Sequence, residues 1–231
     1  MTLQTGRHKT VLVSVLKDIY TDNSIGPILG FKGGTAAFLF YDLGRFSVDL
    51  DFDLLDPTRE EFVAERLERI LARHGTIKTK RRKLHTLFFE FSYAVEEHNV
   101  KVEVNRREFG STYEVLNYFG IGMKVMTKAD MFAHKLVAMH ERLGKTNRDI
   151  YDVWSFLQQQ WPVNRDMVEQ RTKMSFTEFL DTCIAKLEKL PDRTILAGMG
   201  ELLDAKQKAW AKTKLRSEVV FLLKVLQSHQ E

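Results

Sequence analysis

Three aspartates at alternate positions are the feature of this sequence with the clearest chemical content. Asp49, Asp51 and Asp53 lie in the segment VDLDFDL, where apolar residues fill the positions between them. Alternate side chains of a β-strand point to opposite faces, so the pattern predicts a strand over residues 48–54 with one apolar and one acidic face. Burial of ionised carboxylates costs several kcal/mol unless they are paired or bind a metal. The acidic face therefore either meets water or holds cations.

A glycine pair lies ahead of this strand. Gly33 and Gly34 separate an apolar stretch at 26–31 from a helix-like stretch, TAAFLFYDL, at 35–43. Small residues at the start of a helix let main-chain N–H groups approach a phosphate closely. Carboxylates at positions i and i+2 of a strand can share Mg²⁺ ions. A third acid on a neighbouring strand often completes such a site, and Glu103 in NVKVEVNRR is placed for that role.

Other interpretations of the aspartates fit less well. A calcium-binding loop needs glycine at its sixth position, where this sequence has Leu54. The D-x-D motif of phosphatases of the haloacid dehalogenase kind resembles the segment DFDLL, but the usual threonine or valine after the second aspartate is absent. An acidic strand face that is merely exposed to solvent is the structural alternative.

A second polar cluster weakens that structural alternative. In RDIYDVW, Arg148 and Asp152 are four residues apart and Asp149 and Asp152 are three apart, so a helix places them on one face. Lys135 lies on the preceding predicted helix, across a short loop. An acidic strand, a glycine pair and a Lys/Arg–Asp helix pair in one chain favour a phosphate-handling enzyme.

The pattern of the whole chain predicts an α+β fold in two parts. An α/β core with a mixed sheet is expected over residues 1–127, and an all-helical C-terminal lobe over 128–231, with a cleft between them. The predicted strands are 26–31, 48–54, 86–94, 99–107 and 121–126; the predicted helices are 8–21, 35–43, 58–74, 128–142, 146–159, 164–171, 175–188 and roughly 198–228.

Composition restricts the possible classes of protein. The chain has 231 residues, of which 44% are hydrophobic, and a formal charge of +4. It has no run of about 18 apolar residues, so no transmembrane helix and a cytoplasmic location are expected. Its single cysteine, Cys183, excludes an internal disulfide and a multi-cysteine zinc site, and lies in an apolar helical pattern that predicts burial.

Five segments occur together in one order: KGGTA (32–36), LGRFSVDLDFDL (43–54), KVEVNRR (101–107), ADMFAHKLVAMHER (129–142) and RDIYDVW (148–154). In that order they resemble the AbiEii/AbiGii-type nucleotidyltransferase toxins, a branch of the polymerase-β-like nucleotidyltransferase superfamily. The resemblance implies a sheet that carries a two-metal Mg²⁺ site and a helical C-terminal lobe. It also implies transfer of a nucleoside monophosphate from an NTP to an acceptor, with pyrophosphate leaving.

The resemblance also implies a biological role. Several relatives act on the 3′ acceptor end of tRNA and stop translation, and many are paired with an antitoxin from the same operon. For this chain it implies a toxin of a toxin–antitoxin or phage-defence system whose acceptor is tRNA or another RNA. Two alternatives remain: a non-catalytic module that senses nucleotide or binds a protein, and transfer to a protein or a small molecule.

The resemblance assigns roles to residues by their position in the motifs. Asp49 and Asp51 would hold Mg²⁺, and Lys135 would neutralise the triphosphate. Asp152, together with Arg148 and Asp149, would position that lysine or the acceptor. The residues implied in nucleotide binding are Lys32, Gly33, Gly34, Thr35, Ser47, Arg148 and Asp149.

Two further acids have less definite roles. Asp53 is a carboxylate that the family pattern does not need, and it is expected either at a solvent-facing strand end or as a substitute metal ligand. Glu103 is either a third metal ligand or a bystander, because the third acid is not always present in the family. Asp49 and Asp51 would still form a working metal site without Glu103.

A basic run offers a candidate surface for RNA. The segment KTKRRKLH packs five cations into residues 78–83. Such a run is either a solvated edge or loop, or it contacts the phosphate backbone of RNA. In the second case the binding affinity depends on the salt concentration. The residues assigned to RNA binding on this basis are Lys80, Arg81, Arg82 and Lys83.

Overall fold

The chain divides into two structural units. The computed structural model describes residues 4–94 and 98–228. Unit 1 consists of the chain up to Asp42 together with Phe46–Thr127, and unit 2 consists of Leu43–Arg45 together with the chain from Lys128 onward. The short segment Leu43–Arg45 therefore belongs to the helical unit, although its neighbours on both sides belong to unit 1.

Within its described residues, unit 1 contains a seven-stranded sheet and three α-helices. Its helices are α1 (Thr5–Tyr20), α2 (Gly33–Phe40) and α3 (Glu60–His74). Its strands are β1 (Leu29–Lys32), β2 (Leu50–Leu54), β3 (Thr76–Arg82), β4 (Thr86–Ser92), β5 (Val100–Asn105), β6 (Tyr113–Tyr118) and β7 (Ile121–Met126).

The sheet is mixed, with the aspartate strand near its centre. The strand order is β3-β4-β5-β2-β1-β7-β6. Strand β2 runs antiparallel to β1 and parallel to β5, and β1 also pairs in parallel with β7. The register places Asp51 opposite Lys32 on one side and opposite Glu103 on the other. The three central strands therefore bring polar residues from distant parts of the sequence to one face.

The opposite face of the central strands is the core of unit 1. Leu50 and Phe52 of β2, Phe31 of β1 and Val102 of β5 are completely buried. The amphipathic helices α1 and α3 pack on each other and contact the sheet through β7 and through β3 and β4, respectively. Each fully buried side chain of this size contributes about 1.5–3 kcal/mol to folding. The apolar alternation in β2 is thus what fixes which face its aspartates occupy.

Unit 2 is helical apart from Leu43–Arg45 and the loops. Helices α4 and α5 pack together, as do α4 and α6, and α9 packs on α5 and α7. Cys183 on α7 is buried, as expected, and burial raises the pKa of its thiol to about 12. The helices are α4 (Lys128–Arg142), α5 (Arg148–Gln158), α6 (Arg165–Thr172), α7 (Phe176–Glu188), α8 (Ala205–Trp210) and α9 (Arg216–Ser228), with a π-helical turn at Ala211–Leu215.

The structure differs most from the sequence-based elements at three places. Strands β3 and β6 have no counterpart among the predicted elements, and β3 contains most of the basic run. The last helical stretch begins at Ala205, not near residue 198, because Asp204 caps it with a reciprocal Gln207 contact. Among the described residues, no helix is both long enough and apolar enough to span a membrane.

Candidate active site

The polar face of β1, β2 and β5 carries several of the residues predicted for unit 1. Asp51 and Asp53 of β2 share this face with Lys32 of β1 and with Glu103 and Asn105 of β5. Side chains directly opposite each other on neighbouring strands have Cβ atoms about 5 Å apart. The register therefore gathers these groups into one polar cluster.

Asp51 lies against the glycine turn. Gly33 is the first residue of α2 and has a φ of +80°, a conformation that side-chain-bearing residues rarely adopt. A Cβ atom at Gly33 would overlap the carboxylate of Asp51. Among the described residues, the Asp51 carboxylate forms no hydrogen bond or ion pair. The structure thus brings a partly exposed carboxylate to the N-terminus of a helix.

Asp49 immediately precedes β2 and is held through its main chain. The hydroxyl of Thr35, which is completely buried, donates to the Asp49 carbonyl oxygen. The preceding carbonyl, that of Val48, lies 2.9 Å from Nε2 of the buried His8 on α1. The Thr35 side chain, assigned to phosphate binding, is therefore engaged in positioning Asp49. Ser47, also assigned to the phosphates, is buried.

The structure corrects the expectation that Asp53 is a solvent-facing strand end, because this residue is only 5% exposed. Its Oδ1 accepts hydrogen bonds from Lys32 Nζ at 2.5 Å and from Asn105 Nδ2 at 2.6 Å, and its Oδ2 accepts one from Tyr113 Oη at 2.6 Å. A buried carboxylate is tolerated when it is paired and hydrogen-bonded, and Asp53 satisfies both conditions. Lys32, assigned to the nucleotide, is the charged partner.

The chemistry of the carboxylates fits magnesium. Mg²⁺ prefers oxygen ligands and is commonly bound by one or two carboxylates together with substrate phosphates. Among the described residues, no group of three or more His, Cys, Asp or Glu side chains is arranged to hold a metal ion. Glu103 is level with Asp51 in the register, but its carboxylate lies 3.6 Å from Lys83 Nζ. One or two carboxylates can suffice for Mg²⁺, so Asp49 and Asp51 are candidate ligands, and Glu103 is a less direct candidate because it lies beside a lysine.

Unit 2 contains a second charged cluster, formed by α4, α5 and the Leu43–Arg45 segment. Lys135 Nζ lies 3.0 Å from Asp149 Oδ1 and 2.7 Å from Asp152 Oδ2. Arg45 binds Asp152 with two hydrogen bonds, Nε to Oδ1 at 2.5 Å and Nη2 to Oδ2 at 2.7 Å. Arg142 Nη2 lies 2.7 Å from Asp149 Oδ2. Three cations thus surround two fully buried carboxylates, which leaves the cluster with an excess of positive charge.

Burial and pairing act in opposite directions on this cluster. Burial alone raises the pKa of Asp152, but the charges of Arg45 and Lys135 and their hydrogen bonds outweigh it and hold that pKa well below its usual range. Burial lowers the pKa of Arg45, yet Asp152 outweighs burial and raises that pKa. Both groups are therefore ionised throughout the physiological range.

Arg45, and not Arg148, is the arginine that pairs with Asp152. The helical spacing of Arg148 and Asp152 predicts a shared face, but Arg148 forms no ion pair among the described residues and its Nε is buried without an acceptor. Arg45 lies inside the motif LGRFSVDLDFDL without any periodic pattern around it. No local signal in the sequence therefore points to its burial or to its partner.

The basic run lies on edge strand β3 and is partly neutralised. Lys80 Nζ is 2.6 Å from Glu68 Oε2, and Arg82 pairs with carboxylates at the start of α3. Lys83 lies over the Phe88 ring, 3.9 Å from its centroid. Arg81 is exposed and forms no ion pair among the described residues. Of the four predicted RNA-binding residues, Arg81 is the one most available to a phosphate.

Comparison with known proteins agrees with this geometry. The sequence model of a family described as "Nucleotidyl transferase AbiEii toxin, Type IV TA system" matches residues 14–219. No curated protein sequence matches the chain.

Several solved structures have a similar fold. A Helicobacter pylori protein described as a candidate nucleotidyltransferase has a TM-score of 0.68 at 19% identity, over 99% of this chain and 97% of its own. The structure of JHP933 from Helicobacter pylori has a TM-score of 0.66 at 19% identity, over 99% and 94%. An antigenic nucleotidyltransferase-like protein from Paracoccidioides brasiliensis has a TM-score of 0.51 at 15% identity, over 90% and 99%. These similarities show the fold.

Proposed function

Because this chain belongs to the AbiEii nucleotidyltransferase toxin family of type IV toxin–antitoxin systems and is a nucleotidyltransferase, we propose that its acceptor is RNA. In this proposal a nucleoside monophosphate passes from an NTP to the 3′ end of a tRNA or of another RNA, and pyrophosphate leaves. The reaction depends on Mg²⁺, takes place in the cytoplasm where these substrates are found, and is restrained by a cognate antitoxin protein.

One observation carries the chemical part of the proposal. The Asp51 carboxylate has no partner among the described residues, and it lies against Gly33, whose missing side chain leaves that approach open. An ionised carboxylate without a counter-charge attracts a divalent cation, and a triphosphate carries one with it. The main-chain amides of Gly33 and Gly34 would donate to the phosphate oxygens.

The protein's own groups orient the reactants. A Mg²⁺ ion held at this site would lower the pKa of the attacking hydroxyl and offset the charge of the leaving pyrophosphate. Asp49 and Asp51 would hold it, with Thr35 and His8 fixing the main chain around Asp49. Such positioning is a large part of catalysis in phosphate transfer, because these reactions need little covalent help from the protein.

Lys135 is the proposed cation for the triphosphate. An ammonium group has three hydrogen-bond donors, and Asp149 and Asp152 accept two of them. One donor is left for a phosphate oxygen. In this assignment Asp152 and Asp149 hold Lys135 in one orientation, and Arg45 holds Asp152.

Labelled nucleotides test the proposal. The purified protein is incubated with each of the four α-³²P-labelled NTPs, Mg²⁺ and total RNA, and label is followed in RNA, in protein and in small molecules. We expect one NTP to label tRNA-sized RNA, and Asp51→Asn to abolish labelling. Asp166→Asn, which changes an exposed aspartate on α6, is the matched control and should label RNA normally.

The products separate the alternatives. Label in protein or in a small molecule would refute the RNA acceptor while leaving nucleotide transfer intact. No label in any fraction, together with equal growth of host cells that express the wild type and Asp51→Asn, would refute an active toxin and favour the non-catalytic module. Mass spectrometry of tRNA from expressing cells identifies the added base and the acceptor end.

A further inference from the structure

Lys32 does not pair with the aspartate directly across from it. The register of β1 and β2 places Lys32 opposite Asp51, and Asp53 diagonally from it. Its ammonium nevertheless lies 2.5 Å from Asp53 Oδ1, and no ion pair joins it to Asp51. Opposite charges that face each other across two strands attract, so this choice of partner needs a cause.

The cause lies in the other donors around Asp53. Asn105 Nδ2 donates to the same oxygen as Lys32, and Asn105 is itself fixed by Arg107, whose Nε lies 3.0 Å from Asn105 Oδ1. Tyr113 Oη donates to the second oxygen. Three donors from β1, β5 and β6 hold the buried Asp53 carboxylate in one orientation, which makes it a strong and fixed partner for Lys32.

A glycine makes this arrangement possible. Gly30 lies opposite Asp53 in the register, and a Cβ atom at Gly30 would overlap the Tyr113 ring. Tyr113 belongs to β6, and β7 separates β6 from β1 in the sheet. The tyrosine reaches Asp53 across the space that the absent side chain of Gly30 leaves.

We propose that Asp53 is a positioning residue that holds the ammonium of Lys32 away from Asp51 and so leaves the Asp51 carboxylate available to a divalent cation. This inference rests on the proposed function, because it assigns Asp51 to the metal. It gives a role to the third aspartate of the motif, since the proposed function assigns only Asp49 and Asp51 to the metal. Without the charge of Asp53, the ammonium would turn to the directly opposite Asp51 and compete with the cation there.

Binding of Mn²⁺ to the protein without nucleotide tests this inference. Electron paramagnetic resonance reports the free ion directly, so the readout is independent of transfer activity. We expect Asp51→Asn to remove the site, Asp53→Asn to weaken Mn²⁺ binding by about fivefold, and the double variant Lys32→Met/Asp53→Asn to return to within about twofold of the wild type. Thermal unfolding confirms that each variant is folded.

Two controls separate position from net charge. Asp166→Asn removes an exposed carboxylate on α6 and should leave Mn²⁺ binding unchanged. Lys101→Met/Asp53→Asn has the same net charge as Lys32→Met/Asp53→Asn, but it removes an exposed lysine of β5 and keeps Lys32. We expect this variant to bind Mn²⁺ as weakly as Asp53→Asn does.

The decisive result is a Mn²⁺ affinity that recovers when Lys32 is removed and does not recover when Lys101 is removed. If Asp53 had only a structural role, the removal of Lys32 would not restore the affinity. Wild-type affinity in Asp53→Asn, no recovery in the Lys32 double variant, or Mn²⁺ binding unaffected by Asp51→Asn would each overturn the inference. If the binding pattern holds but no nucleotide is transferred, the proposed function fails alone. If transfer depends on Asp51 but Asp53→Asn binds Mn²⁺ normally, this inference fails alone.

Discussion

Arg45 and Asp152 are 107 positions apart in the sequence and form a two-hydrogen-bond ion pair inside unit 2. Arg45 is 2% exposed and Asp152 is completely buried. The planar guanidinium matches the carboxylate with two parallel donors, which gives the contact a defined orientation as well as charge compensation. The pair thereby fixes the segment Leu43–Arg45 in unit 2 and fixes the carboxylate that also contacts Lys135.

Removal of Arg45 should destabilise the protein strongly. Arg45→Met leaves Asp152 buried with Lys135 as its remaining cation, and we expect a loss of about 3–5 kcal/mol in the free energy of unfolding, measured with denaturant. Replacement of both partners, Arg45→Met with Asp152→Leu, should recover part of this loss because neither member of the pair is then left without the other. Arg69→Ala breaks an exposed pair with Glu65 and should change little. A cost for Arg45→Met no larger than that for Arg69→Ala would contradict a buried, energetically coupled pair.

The same pair predicts a specific dependence of stability on pH. The pKa of Asp152 is lower in the folded protein than in the unfolded chain, so its contribution is fully present above about pH 5 and declines as the pH falls through the folded pKa. The stability difference between wild type and Asp152→Asn should therefore be constant from about pH 5 to 8 and shrink below about pH 4. Denaturant titrations across this range measure it. If the stability difference already shrinks near pH 6.5, the group that titrates is a histidine and not Asp152.

Substitution of Gly33 should affect chemistry more than stability. Gly33 and Gly120 have φ values of +80° and +82°, so alanine at either position should cost about 1–2 kcal/mol of stability. Only at Gly33 does the added Cβ overlap the Asp51 carboxylate, whereas Gly120 has open space. We expect Gly33→Ala to lower nucleotide transfer by about 100-fold and Gly120→Ala to leave it near the wild-type rate. Equal rates in the two variants would show that the Gly33–Asp51 contact does not matter for transfer.

Cations on β3 should contribute unequally to RNA binding. If this edge contacts phosphates, Arg81→Ala should lower the slope of log affinity against log salt concentration by about 1, because Arg81 has no carboxylate partner among the residues that the structure describes. Lys80→Ala should lower it less, because Glu68 already neutralises Lys80. Fluorescence anisotropy of labelled tRNA over a salt series gives these slopes. An unchanged slope in Arg81→Ala would exclude this edge from the RNA interface.

The sequence predicts those strands and helices in which apolar residues recur with a regular period. The alternation of residues 48–54 predicts both β2 and the face of its aspartates, because burying Leu50 and Phe52 fixes the orientation of the strand. Strand β6 shows no such alternation. It lies at the edge of the sheet, where Val115 is exposed and Tyr113 is half-buried, so neither face of the strand is consistently apolar. Strand β3 is also missing from the predicted elements, because lysine is depleted in strands and the segment is rich in cations. In the structure, carboxylates of α3 balance part of this charge.

The partners of buried charges cannot be read from local pattern. Asp53 looks like Asp51 in the sequence, and only the arrival of Tyr113 and Asn105 from other strands distinguishes a buried carboxylate from an open one. Arg45 lies in a loop, where no periodicity reports burial, and its partner is contributed by α5. Such pairings depend on tertiary structure, which spacing along the chain does not encode.

The parallel pairing of β1 with β7 also sets when the enzyme can form during its own synthesis. Strand β1 acquires its second neighbour only when Ile121–Met126 is present, and Val125 then pairs with Phe31. More than half of the 231 residues must therefore leave the ribosome before the sheet can close around the strand that bears Lys32. Shorter nascent chains carry the aspartate motif without a finished scaffold, so a ribosome completes more than half of this chain before the chain can transfer a nucleotide.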